Sequence, residues 1–67
     1  MKPIPMHVTF TLSGRRHAVR CDSIEQAREL RDRVVYSGLA RHPRINKQGR
    51  IHGDPKLMTL HRFVKVF

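Results

Sequence analysis

The sequence has few cysteines, few acidic residues and no long apolar run near its start, and each of these scarcities excludes a class of protein. Cys21 is the only cysteine among 67 residues. No disulfide can therefore form within the chain, and the thiolate cluster of a structural zinc site is missing. We expect a reducing, cytoplasmic setting. The chain opens with Met-Lys-Pro-Ile-Pro, which has two prolines and does not begin an apolar run of seven or more residues. We therefore expect neither a signal peptide nor a membrane anchor.

Acidic residues are also scarce. Five Asp and Glu stand against 14 Lys and Arg, which gives a formal net charge of +9. In a small compact domain such an excess of like charges is destabilising, because the charges repel one another. Solubility alone requires a net charge of magnitude only about 2 to 8. We therefore expect a polyanionic partner, first of all a nucleic acid. Arginine outnumbers lysine ten to four, which suits bidentate contact with phosphate or guanine.

The length and the hydrophobic fraction of 39% leave room for one core and for a single domain over residues 1–67. The predicted fold class is α+β. We expect a small antiparallel β-sheet, made of an N-terminal hairpin and one or more C-terminal strands. One α-helix packs on one face of this sheet, and the order of elements is ββαβ(β).

Residues 6–21 have the pattern of a β-hairpin, with two alternating segments joined by Ser13-Gly14. A two-residue loop sets Val8 opposite Val19 and Phe10 opposite His17, which gathers nearly all apolar side chains on one face. The other face is then left with a mostly polar set: His7, Thr9, Thr11, Arg16, Ala18 and Arg20.

A helix is predicted to begin at Asp22 or Ser23, each of which has a capping-box partner three residues later. Ser37-Gly38 should end it. The apolar residues on its predicted stripe are Ile24, Ala27, Leu30, Val34 and Val35. This stripe is wide enough to cover the apolar face of the hairpin.

The signals after the helix are weaker. We expect a short strand near Ile45 and a loop over residues 47–49. The tail over residues 58–67 is rich in β-forming residues and is predicted to be another strand. An alternative is a helix that begins within residues 56–60, because Asp54-Pro55 resembles a cap followed by a first-turn proline.

The charges are segregated along the chain. Four of the five acidic residues lie in the predicted helix or at its cap: Asp22, Glu25, Glu29 and Asp32. The excess positive charge therefore belongs to the sheet and the loops, where Thr9 and Thr11 are further donors to phosphate. The predicted nucleic-acid-binding residues are Arg15, Arg16, Arg20, Arg41, Arg44, Lys47 and Arg50.

The five histidines raise the question of metal binding or catalysis. His17 and Cys21 stand too far apart on a strand for easy chelation, and no second close pair completes a tetrahedral set. We expect no metal, no cofactor and no enzymatic activity. The alternative is a metal-independent ribonuclease, in which His52 or His61 is the base and Arg50 or Arg62 neutralises the phosphate.

The favoured hypothesis is thus a noncatalytic nucleic-acid-binding module, with the choice between DNA and RNA left open. A second hypothesis is a small effector, of the kind that phages or mobile elements carry, which binds an acidic surface of a host protein and inhibits or adapts it. No membrane partner is expected. A homodimer is an alternative in either case, because the C-terminal tail would present a strand edge.

Overall fold

The structure, a computed structural model, describes residues 6–47 and 53–67. In chain order the elements are β1 (Met6–Leu12), β2 (Arg15–Cys21), α1 (Ile24–Ser37), β3 (Arg41–Asn46), β4 (Lys56–Met58) and α2 (Leu60–Val66). The predicted α+β class is confirmed, with its N-terminal hairpin, its main helix and the strand around Ile45.

The four strands form one sheet in the order β3-β1-β2-β4. β1 pairs antiparallel with β2 and with β3, whereas β4 runs parallel to β2. The sheet is therefore mixed, because its last strand joins the edge of β2 in the same direction. The hairpin strands occupy the centre, and both later strands are edges.

The hairpin has the predicted register, with Val8 opposite Val19 and Phe10 opposite His17. Its two loop residues both have positive φ angles, 52° at Ser13 and 78° at Gly14. Two such residues make the turn whose twist matches that of the paired strands. The alternation of side chains along β1 and β2 therefore extends to the end of both strands.

Helix α1 begins and ends where the sequence predicts. Ser23 is the N-cap, and its hydroxyl accepts a hydrogen bond from the Gln26 amide at 3.1 Å. Gly38 ends the helix with a left-handed φ of 67°. Ala27, Leu30 and Val34 are buried. The prediction was wrong for Val35, which is 57% exposed, because it follows the buried Val34 and therefore projects about 100° further around the helix.

The prediction of a strand over residues 58–67 was wrong. The alternative, a helix that begins within residues 56–60, is confirmed, because α2 begins at Leu60, but its cap is Thr59 and not the predicted Asp54. Strand β4 ends at Met58, and α2 follows with Thr59 as its N-cap, whose hydroxyl accepts from the Arg62 amide at 3.2 Å. Phe63 and Phe67 lie four residues apart and therefore share one side of this turn of helix. Their rings pack within 6.0 Å and 5.1 Å of the Phe10 ring. That aromatic contact requires helical spacing.

Both helices pack on the same side of the sheet, which we call the covered face. It carries Val8, Phe10, Val19 and Cys21, which form one buried core with residues of α1 and with Phe63. The other side carries the alternate residues of the strands and is called the open face. Neither helix of the described ranges packs on it.

Within residues 6–47 and 53–67, no helix has the length and apolar character needed to span a membrane.

Candidate nucleic-acid interface

The open face is built from three rows of side chains that run across the strands. The row nearest the hairpin turn contains Arg41, Thr11 and Arg16; the middle row contains Arg44, Thr9, Ala18 and Leu57; the far row contains Asn46, His7 and Arg20. Along β1 and β2 successive rows are two residues apart, or about 7 Å. Each row carries at least one arginine, so the positive charge extends along the whole face.

A β-bulge in β3 brings two of these arginines to the same face. Arg44 lies opposite Thr9 and Arg41 opposite Thr11, so three residue steps in β3 match two steps in β1. In a regular strand, residues 41 and 44 would point to opposite faces. The extra residue sits at His42-Pro43, where His42 has a φ of 55°. Proline is tolerated there because β3 is an edge strand.

The Arg16 side chain holds this arrangement in place. Its Nη1 donates to Thr11 Oγ1 and to the His42 carbonyl, both at 3.0 Å, and its Nη2 donates to Thr9 Oγ1 at 2.8 Å. The guanidinium thus ties β2 to β1 and to the bulge of β3. Bonds to described residues occupy three of its five N–H groups. Arg16 both belongs to the face and positions its neighbours.

The charged side chains in the three rows of the open face are all arginines. Arg20, Arg41 and Arg44 are exposed. No aspartate or glutamate occurs in any of the four strands. The acidic residues of α1 lie across the sheet, where Asp32 makes a 3.2 Å ion pair with Arg31. The molecule therefore has one cationic side and one side of mixed charge.

The predicted binding residues do not all share this surface. Arg16, Arg20, Arg41 and Arg44 do. Lys47 is exposed directly after β3, at the end of the sheet where Arg20 lies. Arg15 is exposed at the hairpin end but pairs with Leu12, so its register belongs to the covered face. Arg50 lies outside the described residues, as does His52.

Two histidines have altered proton affinity. Burial, together with the Arg20 charge, lowers the pKa of His7 on the open face. Burial also lowers the pKa of His17 on the covered face, with Lys56, Arg15 and Arg62 adding to the effect. Each has a buried Nδ1 without a hydrogen-bond partner among the described residues. Both imidazoles are therefore held in the neutral form at pH 7.

Comparison with protein-family models, curated proteins and solved structures found no match to this chain. The geometry of its own residues therefore carries the functional argument. Among the described residues, no group of three or more His, Cys, Asp or Glu is arranged to hold a metal ion. The Cys21 thiol is buried, which raises its pKa and makes it a poor nucleophile.

The residues named in the ribonuclease alternative lie elsewhere. His61 and Arg62 are exposed on α2, and this helix packs on the covered face. They are thus on the opposite side of the sheet from the three rows of the open face.

Sequence reasoning missed two features of the open face. One is the bulge, although Pro43 inside a strand segment is a recognised sign of an edge or bulge. The other is a groove beside Leu57, which forms only because β4 pairs with β2. That pairing joins residues 39 positions apart, and no local pattern in the sequence indicates it.

Proposed function

We propose that this protein is a noncatalytic nucleic-acid-binding module whose open face contacts phosphates. The observation that carries the proposal is the set of three rows with four arginines and no acidic strand residue, on a side of the sheet that neither described helix covers. Arginine binds phosphate through parallel N–H groups, and a fixed guanidinium loses less entropy on binding than a free one. A cytoplasmic location is part of the proposal.

The arrangement of the arginines suits the phosphate backbone of a nucleic acid better than a single small anion. The arginines lie on β2 and β3, the two strands that flank β1, and they extend about 14 Å along the sheet, the distance spanned by three rows. Arg16 is preorganised by its bonds to Thr9 and Thr11. The exposed Arg20, Arg41 and Arg44 lie in the same three rows and can adapt to successive phosphates. A β-sheet surface of this kind contacts nucleic acids in several known architectures.

The test is fluorescence anisotropy with labelled single-stranded DNA, single-stranded RNA and duplex DNA, between about 0.05 and 0.2 M salt. The wild type is compared with the double variant Arg20→Ala/Arg44→Ala. A matched control, Arg28→Ala/Arg33→Ala, removes the same charge from exposed positions of α1 on the covered side. Wild-type binding should persist near 0.15 M salt.

We expect the open-face variant to weaken binding and to reduce the salt slope by about 1 for each lost phosphate contact. The α1 control should bind like the wild type. Equal losses in both variants would mean that the net charge binds nonspecifically, which would contradict the proposed site. Absence of binding at about 0.15 M salt would contradict the function, and an acidic protein surface would replace nucleic acid as the expected partner.

A further inference from the structure

A groove opens on the open face where β4 joins β2. Its volume is about 340 Å³, and its lining residues are His7, Ala18, Arg20, Leu57, Met58 and Thr59. The groove thus lies at one edge of the proposed nucleic-acid surface, beside the row that ends in Arg20. Its size is at the lower end of the range for sites that bind small organic groups.

The lining is mostly apolar. Leu57 is 70% exposed on a three-residue edge strand, and Ala18 is fully buried beside it. Exposure of a leucine at the rim of a groove leaves apolar surface that a flat ring would cover. A hydrated phosphate gains nothing from such a wall. The groove therefore differs in chemistry from the arginine rows next to it.

His7 supplies the polar element of the groove. The residue is only 9% exposed, and its Nδ1 is buried with no partner among the described residues. An unpaired buried polar atom is unfavourable until it finds a hydrogen bond. Because its pKa is lowered by burial and by Arg20, the imidazole stays neutral and offers one donor and one acceptor. Neutral heteroaromatic rings present matching groups on their edges.

We propose that this groove accepts an unstacked nucleobase of a single-stranded nucleic acid, with the ring against Leu57 and its edge at His7. The proposal rests on the proposed function and deepens it. Arg20 lies at the groove and in the far arginine row, so it contacts the phosphate that belongs to the bound base. In a duplex the bases are paired and stacked, and they cannot enter a groove of this kind without being extruded.

The first experiment compares three labelled probes at about 0.15 M salt: a single-stranded oligonucleotide, an oligomer of equal length with abasic residues, and the corresponding duplex. All carry the same phosphate spacing per strand. We expect the base-containing single strand to bind at least about fivefold more tightly than the abasic strand, because base contacts add to the phosphate contacts. It should also bind more tightly than the duplex.

The variant Leu57→Ser removes the apolar wall at an exposed position, so the fold should be retained. It should abolish the preference for the base-containing strand and leave binding of the abasic strand unchanged. The matched control is Leu39→Ser, which alters a leucine that is 57% exposed after α1. Thermal unfolding of both variants verifies that they are folded.

A second readout is independent of oligonucleotide affinity. In NMR spectra of the histidine imidazoles, uridine or adenosine monophosphate should shift the His7 nitrogen resonances, and ribose 5-phosphate should not. Equal binding of base-containing and abasic strands, or equal shifts from all three compounds, would overturn the base site and leave the phosphate-binding function standing. Loss of the base preference in Leu39→Ser would overturn it too. Failure of every oligonucleotide to bind would instead overturn the proposed function itself.

Discussion

The two faces of the sheet are built from the same strands yet depend on different interactions. On the covered face, Phe10 lies within 6.0 Å of Phe63 and 5.1 Å of Phe67 between ring centroids. On the open face, the contacts are hydrogen bonds from Arg16 to threonine hydroxyls. Burial of apolar area is worth more than partly exposed hydrogen bonds. The contacts on the covered face should therefore supply most of the stability, and the side chains of the open face should supply the binding.

This separation has one clear exception, which is Arg16. Its guanidinium belongs to the binding surface but also joins β2 to the bulge in β3 through the His42 carbonyl. A β-bulge re-aims side chains and costs backbone strain, as the φ of 55° at His42 indicates. Stability and binding should be coupled at this residue and independent at Arg20 and Arg44. Four predictions follow the comparison from its largest expected effect to its smallest.

The largest loss of stability is expected from Phe63→Ala, which removes a ring from the core on the covered face. Phe63 is fully buried, and loss of its ring should cost about 3 to 5 kcal/mol of unfolding free energy. A chain of 67 residues has about 3 to 10 kcal/mol in total, so the variant should be largely unfolded in circular dichroism melts. Val64→Ala, at a position that is 51% exposed on the same helix, is the control. A variant Phe63→Ala that melts like the wild type would show that α2 is not part of the core.

The dual role of Arg16, in stability and in the binding surface, can be tested with Arg16→Ala and Arg16→Lys. Alanine removes three hydrogen bonds, and because these are partly exposed we expect a cost of about 1 to 2 kcal/mol in urea unfolding. The lysine variant keeps the charge but lacks the planar guanidinium that makes these three bonds. We therefore expect the variant to be destabilised by a similar amount. Hydrogen exchange of the β3 amides should quicken in both. If Arg16→Lys were as stable as the wild type, charge alone would explain the role of Arg16.

The two histidines provide a pH test on each face. His7 and His17 have a lowered pKa in the folded protein, whereas the unfolded chain has the ordinary value of 6.5. The unfolded chain therefore binds more protons below that value. Stability should be constant above about pH 7 and should fall as the pH decreases through 6.5.

Urea unfolding between about pH 7.5 and pH 5.5 measures this dependence, with His7→Gln and His17→Gln as variants. Each substitution should remove part of the fall, and the double variant should be nearly flat. A wild-type protein with no loss of stability over this interval would contradict the neutral state assigned to both imidazoles.

The smallest expected effect is at the hairpin turn, far from both sets of contacts. Ser13 has a φ of 52°, a conformation that asparagine adopts more readily, so Ser13→Asn should stabilise the protein by about 0.5 kcal/mol. Gly14→Ala should cost about 1 kcal/mol. No atom lies within 4 Å of an added Cβ at Gly14, whose φ is 78°, so that cost is purely conformational. Nucleic-acid affinity should be unchanged in both variants.

Much of the candidate site could be predicted from the sequence, because the hairpin places Arg16 and Arg20 on one face by alternation alone. The relation of Arg41 to Arg44 could not. Their spacing of three places them on opposite faces of a regular strand, and only the bulge at His42-Pro43 reunites them. For the tail, Leu60, Phe63 and Phe67 have a helical spacing that competes with high β propensity, and local pattern alone does not decide between the two.

The sequence by itself determined the hairpin register, the limits of α1 and the segregation of charge, since each depends on residues that are near neighbours along the chain. Turn length and side-chain alternation fix a register, and a cap fixes a helix end. Only the tertiary structure decided the helical state of residues 60–66, the parallel pairing of β4 and the groove beside Leu57. Those features depend on contacts between distant segments, whose free energy overrides local preference.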